Sequence, residues 1–489
     1  MSGPEASDVR FGLEVSSGFV IRLIMSGVGF VGTIIFARLL NPSIFGGYYL
    51  LLSLILITVE PIQGFATAAK KRFSETDGSR QEILAAQLIA IALLGAFGSL
   101  VAFTFEQSIV NYSGIEEAAL LFSMLLVTVS FVESVMTIIE GTGRMSVSNL
   151  VDLLGSLLTF PFQLGLVLLG FGASGMAYGL ATSSMITGLV GIAVLGITPR
   201  LPSSPTIESI WQFGRFSAVS RLASKILART DMVLLGLFFT PAIAGHYEVA
   251  WKLSVPAALI GVVVGNGLMA RVSNLHSKEN TERIRIDLKN AISVTGMLAI
   301  PMFFGALALK GELAVTVYGP GYKDAAEFLA WIILYQLLRK QADQLLSAVH
   351  GLDRPDATLF VDIGTLALNI GLGVGLLTIV GPVGVIYASV IAETLRLIGG
   401  VVVVRGLVSD LVLFPRAVGE QIVAGGLMFV VVEGANRMVL VRSWVDLTAF
   451  LALGGVTYGA VLVLLSESHR TIATAVYSQF RDAVVEYRT

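Results

Sequence analysis

Long apolar stretches separated by short polar ones set the pattern of this 489-residue chain. Runs near or above the roughly 20 residues needed to cross a hydrocarbon core fall at about 17–40, 45–69, 82–105, 115–139, 147–170, 174–197 and 215–239. They continue at about 243–268, 289–309, 324–349, 357–379, 383–404, 416–433 and 445–465. The pattern predicts an all-α polytopic membrane protein of about 14 transmembrane helices. The longest connections, about twenty residues after the second and eighth runs, leave no room for a soluble catalytic domain.

The seventh run departs from the pattern. Between Ser217 and Tyr247 it carries Arg221, Lys225, Arg229 and Asp231. Steps of four residues drift only about 40° around a helix, so the three cations project from one side and Asp231 from the other. One such residue near mid-membrane costs about 2.5–3.5 kcal/mol to insert. Three on one face call for water, counter-ions or an anionic ligand beside them. The segment therefore reads as one wall of a polar cavity.

Basic residues in the connections give the orientation. Lys70, Lys71, Arg72, Arg80, Arg144, Arg200, Arg271, Lys278, Arg283, Arg285, Lys289, Arg354 and Arg405 all fall on one side, joined by Arg470, Arg481 and Arg488 in the tail. Lys310, Lys323, Arg437 and Arg442 are the exceptions. The chain is expected to be a multi-pass protein of the cell membrane with both termini cytoplasmic. The polar first sixteen residues are not expected to be a secretory signal.

Composition narrows the chemistry. Only 13% of residues are charged and 55% are hydrophobic, against about 25% charged in a soluble domain. With no cysteine there is no disulfide, thiolate nucleophile or cysteine metal site. His246, His276, His350 and His469 are too scattered for a paired-histidine zinc motif. The reading is of a protein that is not an enzyme, with no catalytic residues, no metal, no cofactor and no nucleic-acid partner.

The chain also repeats itself. Asn41-Pro42-Ser43-Ile44-Phe45-Gly46-Gly47-Tyr48 matches Thr240-Pro241-Ala242-Ile243-Ala244-Gly245-His246-Tyr247, and at the same offset Arg22 meets Arg221 and Arg72 meets Arg271. Gly141, Arg144 and Asp152 match Gly351, Arg354 and Asp362; Gly172, Gly175 and Tyr178 match Gly381, Gly384 and Tyr387. The expected organisation is a six-helix lobe over 1–198 and a second, pseudo-symmetric one over 207–405. Two extra helices follow over 416–465, then a cytoplasmic tail over 466–489. Six helices per repeat insert both lobes the same way up, about a pseudo-twofold axis along the membrane normal.

The stretches FARLLNPSIFGGYYLLLSL and RTDMVLLGLFFTPAIAGHYEVAWKL resemble the polysaccharide-transporter branch (Wzx-type oligosaccharide flippases) of the multidrug/oligosaccharidyl-lipid/polysaccharide exporter superfamily. The resemblance covers roughly the first 405 residues. It implies a V-shaped pair of six-helix bundles alternating between inward-open and outward-open states. The cargo it implies is an oligosaccharide on a polyprenyl phosphate or pyrophosphate, moved from the cytoplasmic to the outer leaflet for surface polysaccharide or glycoprotein biosynthesis. Implied partners are that lipid-linked oligosaccharide, membrane lipids and glycan-assembly enzymes.

For such cargo, Arg22, Arg221, Lys225 and Arg229 are the candidate phosphate-binding residues, since guanidinium and ammonium groups are natural phosphate donors. Asp231 and Glu133 lack an obvious local partner and are candidates for proton or sodium coupling. Asp152 and Asp362, at equivalent places in the repeat, are candidate structural or gating residues. A drug/cation antiporter of the same superfamily is the nearest rival, disfavoured by the cationic character of the seventh helix. A membrane polysaccharide polymerase or glycosyltransferase would need a larger outer loop or an acidic catalytic motif, and a non-transporting scaffold would leave the cations unexplained.

Overall fold

A computed structural model describes residues 27–75, 79–408 and 414–465; Arg22 and the expected 466–489 tail lie outside them. Every regular element among the described residues is helical. Ten helices there are long and apolar enough to cross a membrane, beside a shorter apolar one, Gly27–Leu39. Two expected spans, now seen as Ser204–Phe238 and Ala326–Gly351, fall outside the ten because of their charges. One of the ten, Met145–Leu195, holds two of the expected segments.

The chain divides into two compact units, Met1–Gly245 and His246–Thr489. In the first, α1 (Gly27–Leu39) leads to α2 (Pro42–Ser74), α3 (Arg80–Thr104), the short α4 (Glu106–Ser113) and α5 (Ala118–Gly141). Then come α6 (Met145–Leu166), α7 (Gly172–Leu195) and α8 (Ser204–Phe238). Asn41 caps α2, its side chain accepting from the Ile44 N–H at 2.9 Å, with Pro42 in the first turn where no N–H is needed. Ala68, Phe73, Leu84 and Ile138 pack into a core shared by α2, α3 and α5.

The first unit runs past the boundary expected near 198–207 because α8 lies antiparallel along α2. Gly64 takes the backbone of Ala218, Gly214 takes the ring of Phe65, and Gly236 takes Leu50 and Tyr112. Phe65 stacks on Trp211 at 5.6 Å. The helix also starts eleven residues before the expected 215. Glu82 of α3 accepts from the Ser203 N–H, the Ser203 hydroxyl and the Thr206 hydroxyl. That anchor, with Pro205 in the first turn, starts α8 early and leaves Arg221 at its midpoint.

The second unit contains α9 (Pro241–His276) beyond its first turn, then α10 (Thr281–Tyr318), α11 (Ala326–Gly351), α12 (Pro355–Val380) and α13 (Gly384–Leu407). The helices outside the repeat, α14 (Arg416–Met438) and α15 (Trp444–Leu465), follow. Gln421 of α14 donates to the Ser293 carbonyl at 2.8 Å and Gly425 admits Phe304, so α14 docks on α10. Val272, Leu288, Ala348, Val349 and Val404 form a fully buried core.

Matched residues repeat their structural work inside each unit. Gly141 lies against the Lys70 carbonyl and Gly351 against the Met269 carbonyl, and the offset that joins Arg72 to Arg271 also joins Lys70 to Met269. Gly172 and Gly381 both turn the chain with positive φ, 54° and 85°, a conformation glycine adopts freely. The matched Gly46 and Gly245 meet each other. A Cβ on Gly46 would stand 1.8 Å from the Pro241 oxygen, and one on Gly245 would stand 2.3 Å from the Pro42 oxygen. The first turns of α2 and α9 therefore cross backbone against backbone.

Candidate functional site: a carboxylate between two cations

The close approach of α2 and α8 at Gly64 and Ala218 sets the geometry one turn away. Glu60, on α2, receives Arg221 Nε at 3.0 Å on one carboxylate oxygen and Lys225 Nζ at 2.9 Å on the other. The carboxylate side chain is 7% exposed, while the Arg221 and Lys225 side chains keep 44% and 29% of their surface. The acid thus lies beneath and the cations remain approachable. An ion pair of this kind survives burial because charge-assisted hydrogen bonds offset desolvation on both oxygens. The turn of α2 that follows is pinned by polar contacts: Gln63 and Gln87 donate to the Ser134 hydroxyl at 3.4 and 3.0 Å, and Gln87 also donates to the Ile62 carbonyl.

The other expected residues distribute around this pair. Glu133 on α5 is half-buried and lies in the electrostatic field of Lys225, Glu60, Arg221 and Asp152. Arg229 is half-buried one turn beyond Lys225 on the same side of α8, and no carboxylate pairs with it among the described residues. Asp231 is half-buried and is not free of partners. Arg22 lies outside the described residues. Among those residues, no three histidine, cysteine, aspartate or glutamate side chains converge as a metal site.

The second unit carries a different charge cluster. Arg396 of α13 reaches Asp343 of α11 at 2.8 Å, Asp362 of α12 at 2.9 Å and Glu393 at 3.4 Å. Lys340 adds a 2.8 Å contact to Asp343, and Arg339 donates to the Tyr335 hydroxyl at 2.6 Å. Asp362 thus ties α12 to α13, while Asp152, its match in the repeat, belongs to the surroundings of Glu133. Replacing Arg396 by leucine strands the buried end of this cluster and is expected to cost about 3–5 kcal/mol. Thermal unfolding in detergent would read that loss, and combining Arg396→Leu with Glu393→Gln and Asp362→Asn, which leaves Asp343 its Lys340 partner, is expected to restore most of it.

Neither Glu60 nor Arg396 was among the site residues expected from the sequence. A signal was present. The offset that joins Gly141 to Gly351 also joins Glu133 to Asp343, and the one that joins Gly172 to Gly381 joins Thr187 to Arg396. The acidic pair recurs in both units, but the arginine between the acids exists only in the second. In the first, α8 supplies the cations.

The family model described as polysaccharide biosynthesis protein matches residues 35–327, more than half of the chain. The chain belongs to this family. Among its curated relatives is the Haloferax volcanii protein named probable flippase AglR, 28% identical over 95% of this chain and 96% of that one. The Haloferax volcanii protein named probable low-salt glycan biosynthesis flippase Agl15 is 24% identical over 93% and 96%. The fold is that of the lipid II flippase MurJ in an inward-closed conformation, with a TM-score of 0.75 at 14% identity, covering 91% of this chain and 98% of that one. Membership in the polysaccharide biosynthesis family and an all-helical transporter fold are as the resemblance in the sequence implied.

Proposed function

We propose that this protein is a flippase that moves a polyprenyl-(pyro)phosphate-linked oligosaccharide from the cytoplasmic to the outer leaflet of the cell membrane, by alternating access, for surface polysaccharide or glycoprotein assembly. Both termini are cytoplasmic in this reading, as the distribution of lysine and arginine favours. The observation that carries it is the cationic face of α8: Arg221 and Lys225 already hold an anionic group inside a membrane-embedded bundle. The names of its Haloferax relatives, a probable flippase and a probable low-salt glycan biosynthesis flippase, and that of MurJ, which specifies lipid II, support a lipid-linked glycan as cargo.

The residues divide the work by chemistry. Arg221, Lys225 and Arg229, with Arg22 at the matching place in the repeat, receive the phosphate; the prenyl chain stays in the bilayer. Glu133 faces the same cations, so a coupling proton or sodium ion taken up there, or at Asp231, would change the field on the site. Asp362 holds α12 to α13 through Arg396 while the cargo moves. The protein acts by binding and releasing, and glycan-assembly enzymes act before and after it.

The test uses cells from which the gene has been removed. Lipid-linked glycan should accumulate on the cytoplasmic leaflet and clear when the wild-type gene returns. Glycan that crosses normally but is no longer extended or transferred would replace the flippase reading with an assembly role.

A further inference from the structure

The arrangement around Glu60 raises a selectivity problem. A cationic face open to the bilayer would attract the phosphodiester of any ordinary membrane lipid, and those far outnumber a glycan carrier. We propose that Glu60 is a built-in counter-anion that sets a charge threshold for cargo. The Arg221–Lys225 site admits pyrophosphate headgroups and turns away singly charged phosphodiesters. This rests on the reading of the α8 cations as the headgroup site.

Three observations combine. First, both Glu60 oxygens are engaged, one by each cation, so an incoming phosphate must replace two contacts rather than fill an empty place. A phosphodiester offers what the carboxylate already offers, one negative charge and two accepting oxygens. Glu60 is covalently held on α2 and gives up no translational freedom on binding, so between equals it wins. Second, Glu133 lies in the field of the same two cations, and in its ionised form it lowers their net attraction for any further anion. A ligand with a single charge then meets an Arg221–Lys225 pair whose charge Glu60 already offsets in part.

Third, the next cation along the face is uncontested. Arg229 follows Lys225 by one turn, about 6 Å along the axis, and has no carboxylate partner among the described residues. A headgroup with two phosphates can place one at Lys225 and the other at Arg229. It exchanges one carboxylate for two anionic groups and gains a cation that the resident acid does not reach. A single phosphate choosing Arg229 alone gains one contact, and one choosing the contested pair must evict Glu60.

Binding of two probes to the purified full-length protein in detergent tests this: farnesyl pyrophosphate and dioleoyl phosphatidylglycerol. Wild type should prefer the pyrophosphate at least tenfold. Glu60→Gln should tighten phosphatidylglycerol binding at least tenfold and the pyrophosphate less, so that the preference collapses. Arg229→Gln should weaken the pyrophosphate about tenfold and phosphatidylglycerol, which has at most one contact to lose there, much less, a result that does not require the Glu60 variant to fold. In phosphatidylcholine vesicles, Glu60→Gln should also move fluorescent phosphatidylglycerol between leaflets where wild type does not. An unchanged preference in folded Glu60→Gln, or equal losses of both probes in Arg229→Gln, overturns the threshold. If neither probe responds to Arg221→Gln or Lys225→Gln, the headgroup site itself is misplaced, and the threshold falls with it.

Discussion

Arg221→Gln and Lys225→Gln, combined with Glu60→Gln, should abolish glycan export while the protein still folds. Each cation offers a charge-assisted hydrogen bond worth about 1.5–3 kcal/mol. Losing both costs about 3–6 kcal/mol of headgroup binding, on the order of 10²–10⁴ in affinity. The third substitution matters because removing the cations alone leaves Glu60 buried and unpaired, which would destabilise the bundle by about 3–5 kcal/mol and confuse misfolding with lost transport. In the triple variant the Glu60–Arg221–Lys225 cluster carries no charge, so none of its members is left charged and unpaired. The measurement is the leaflet distribution of lipid-linked glycan at matched protein levels, with thermal unfolding as the folding control. Export within about threefold of wild type, less than 1 kcal/mol on this scale, would remove the α8 cations from the mechanism.

The second large effect concerns stability. Gly46→Ala places a methyl group where the Pro241 oxygen and the Gly245 nitrogen stand 1.8 and 2.5 Å away, and Gly245→Ala meets the Pro42 oxygen at 2.3 Å. These are backbone atoms at the starts of two helices, so no rotamer change relieves the clash. Overpacking typically costs about 1–3 kcal/mol where side chains can shift; here the loss should be about 3 kcal/mol or more. Gly165→Ala, with nothing within 4 Å of its new Cβ, is the matched control and should leave the melting temperature near that of wild type. A Gly46→Ala protein that melts within a degree or two of Gly165→Ala would mean that the crossing at α2 and α9 is looser than the structure shows.

What the sequence revealed follows from the range of each signal. Spans show because apolar length is a local property, and the repeat shows because fixed residues recur at a nearly fixed offset. The start of α8 did not show. It depends on Glu82, more than a hundred positions earlier, accepting from Ser203 and Thr206, and hydropathy alone places the beginning where apolar residues take over. The cations of α8 were evident as a pattern of four-residue steps, yet their partner was not. Glu60 is one acid among several in the spans, and only the pressing of Gly64 on Ala218 selects it. Asp362 was visible as an intramembrane acid, but its arginine lies on another helix, thirty-four residues away. Contacts between helices depend on small residues at crossings, and a single sequence does not say which glycine meets which neighbour.

The pairing of Glu60 with α8 also sets an order of events during synthesis. The carboxylate is made about 160 residues before its two cations, which at about 5–20 residues per second is a delay of roughly 10–30 s. For that interval, α2 holds an acid near its middle with neither of its two α8 partners present. Completion of the first bundle is therefore tied to the emergence of α8, and a ribosome that stalls between α7 and α8 leaves a chain with an acid buried and nothing to neutralise it. Such a chain carries its own mark for membrane quality control, and the mark disappears when Arg221 and Lys225 arrive.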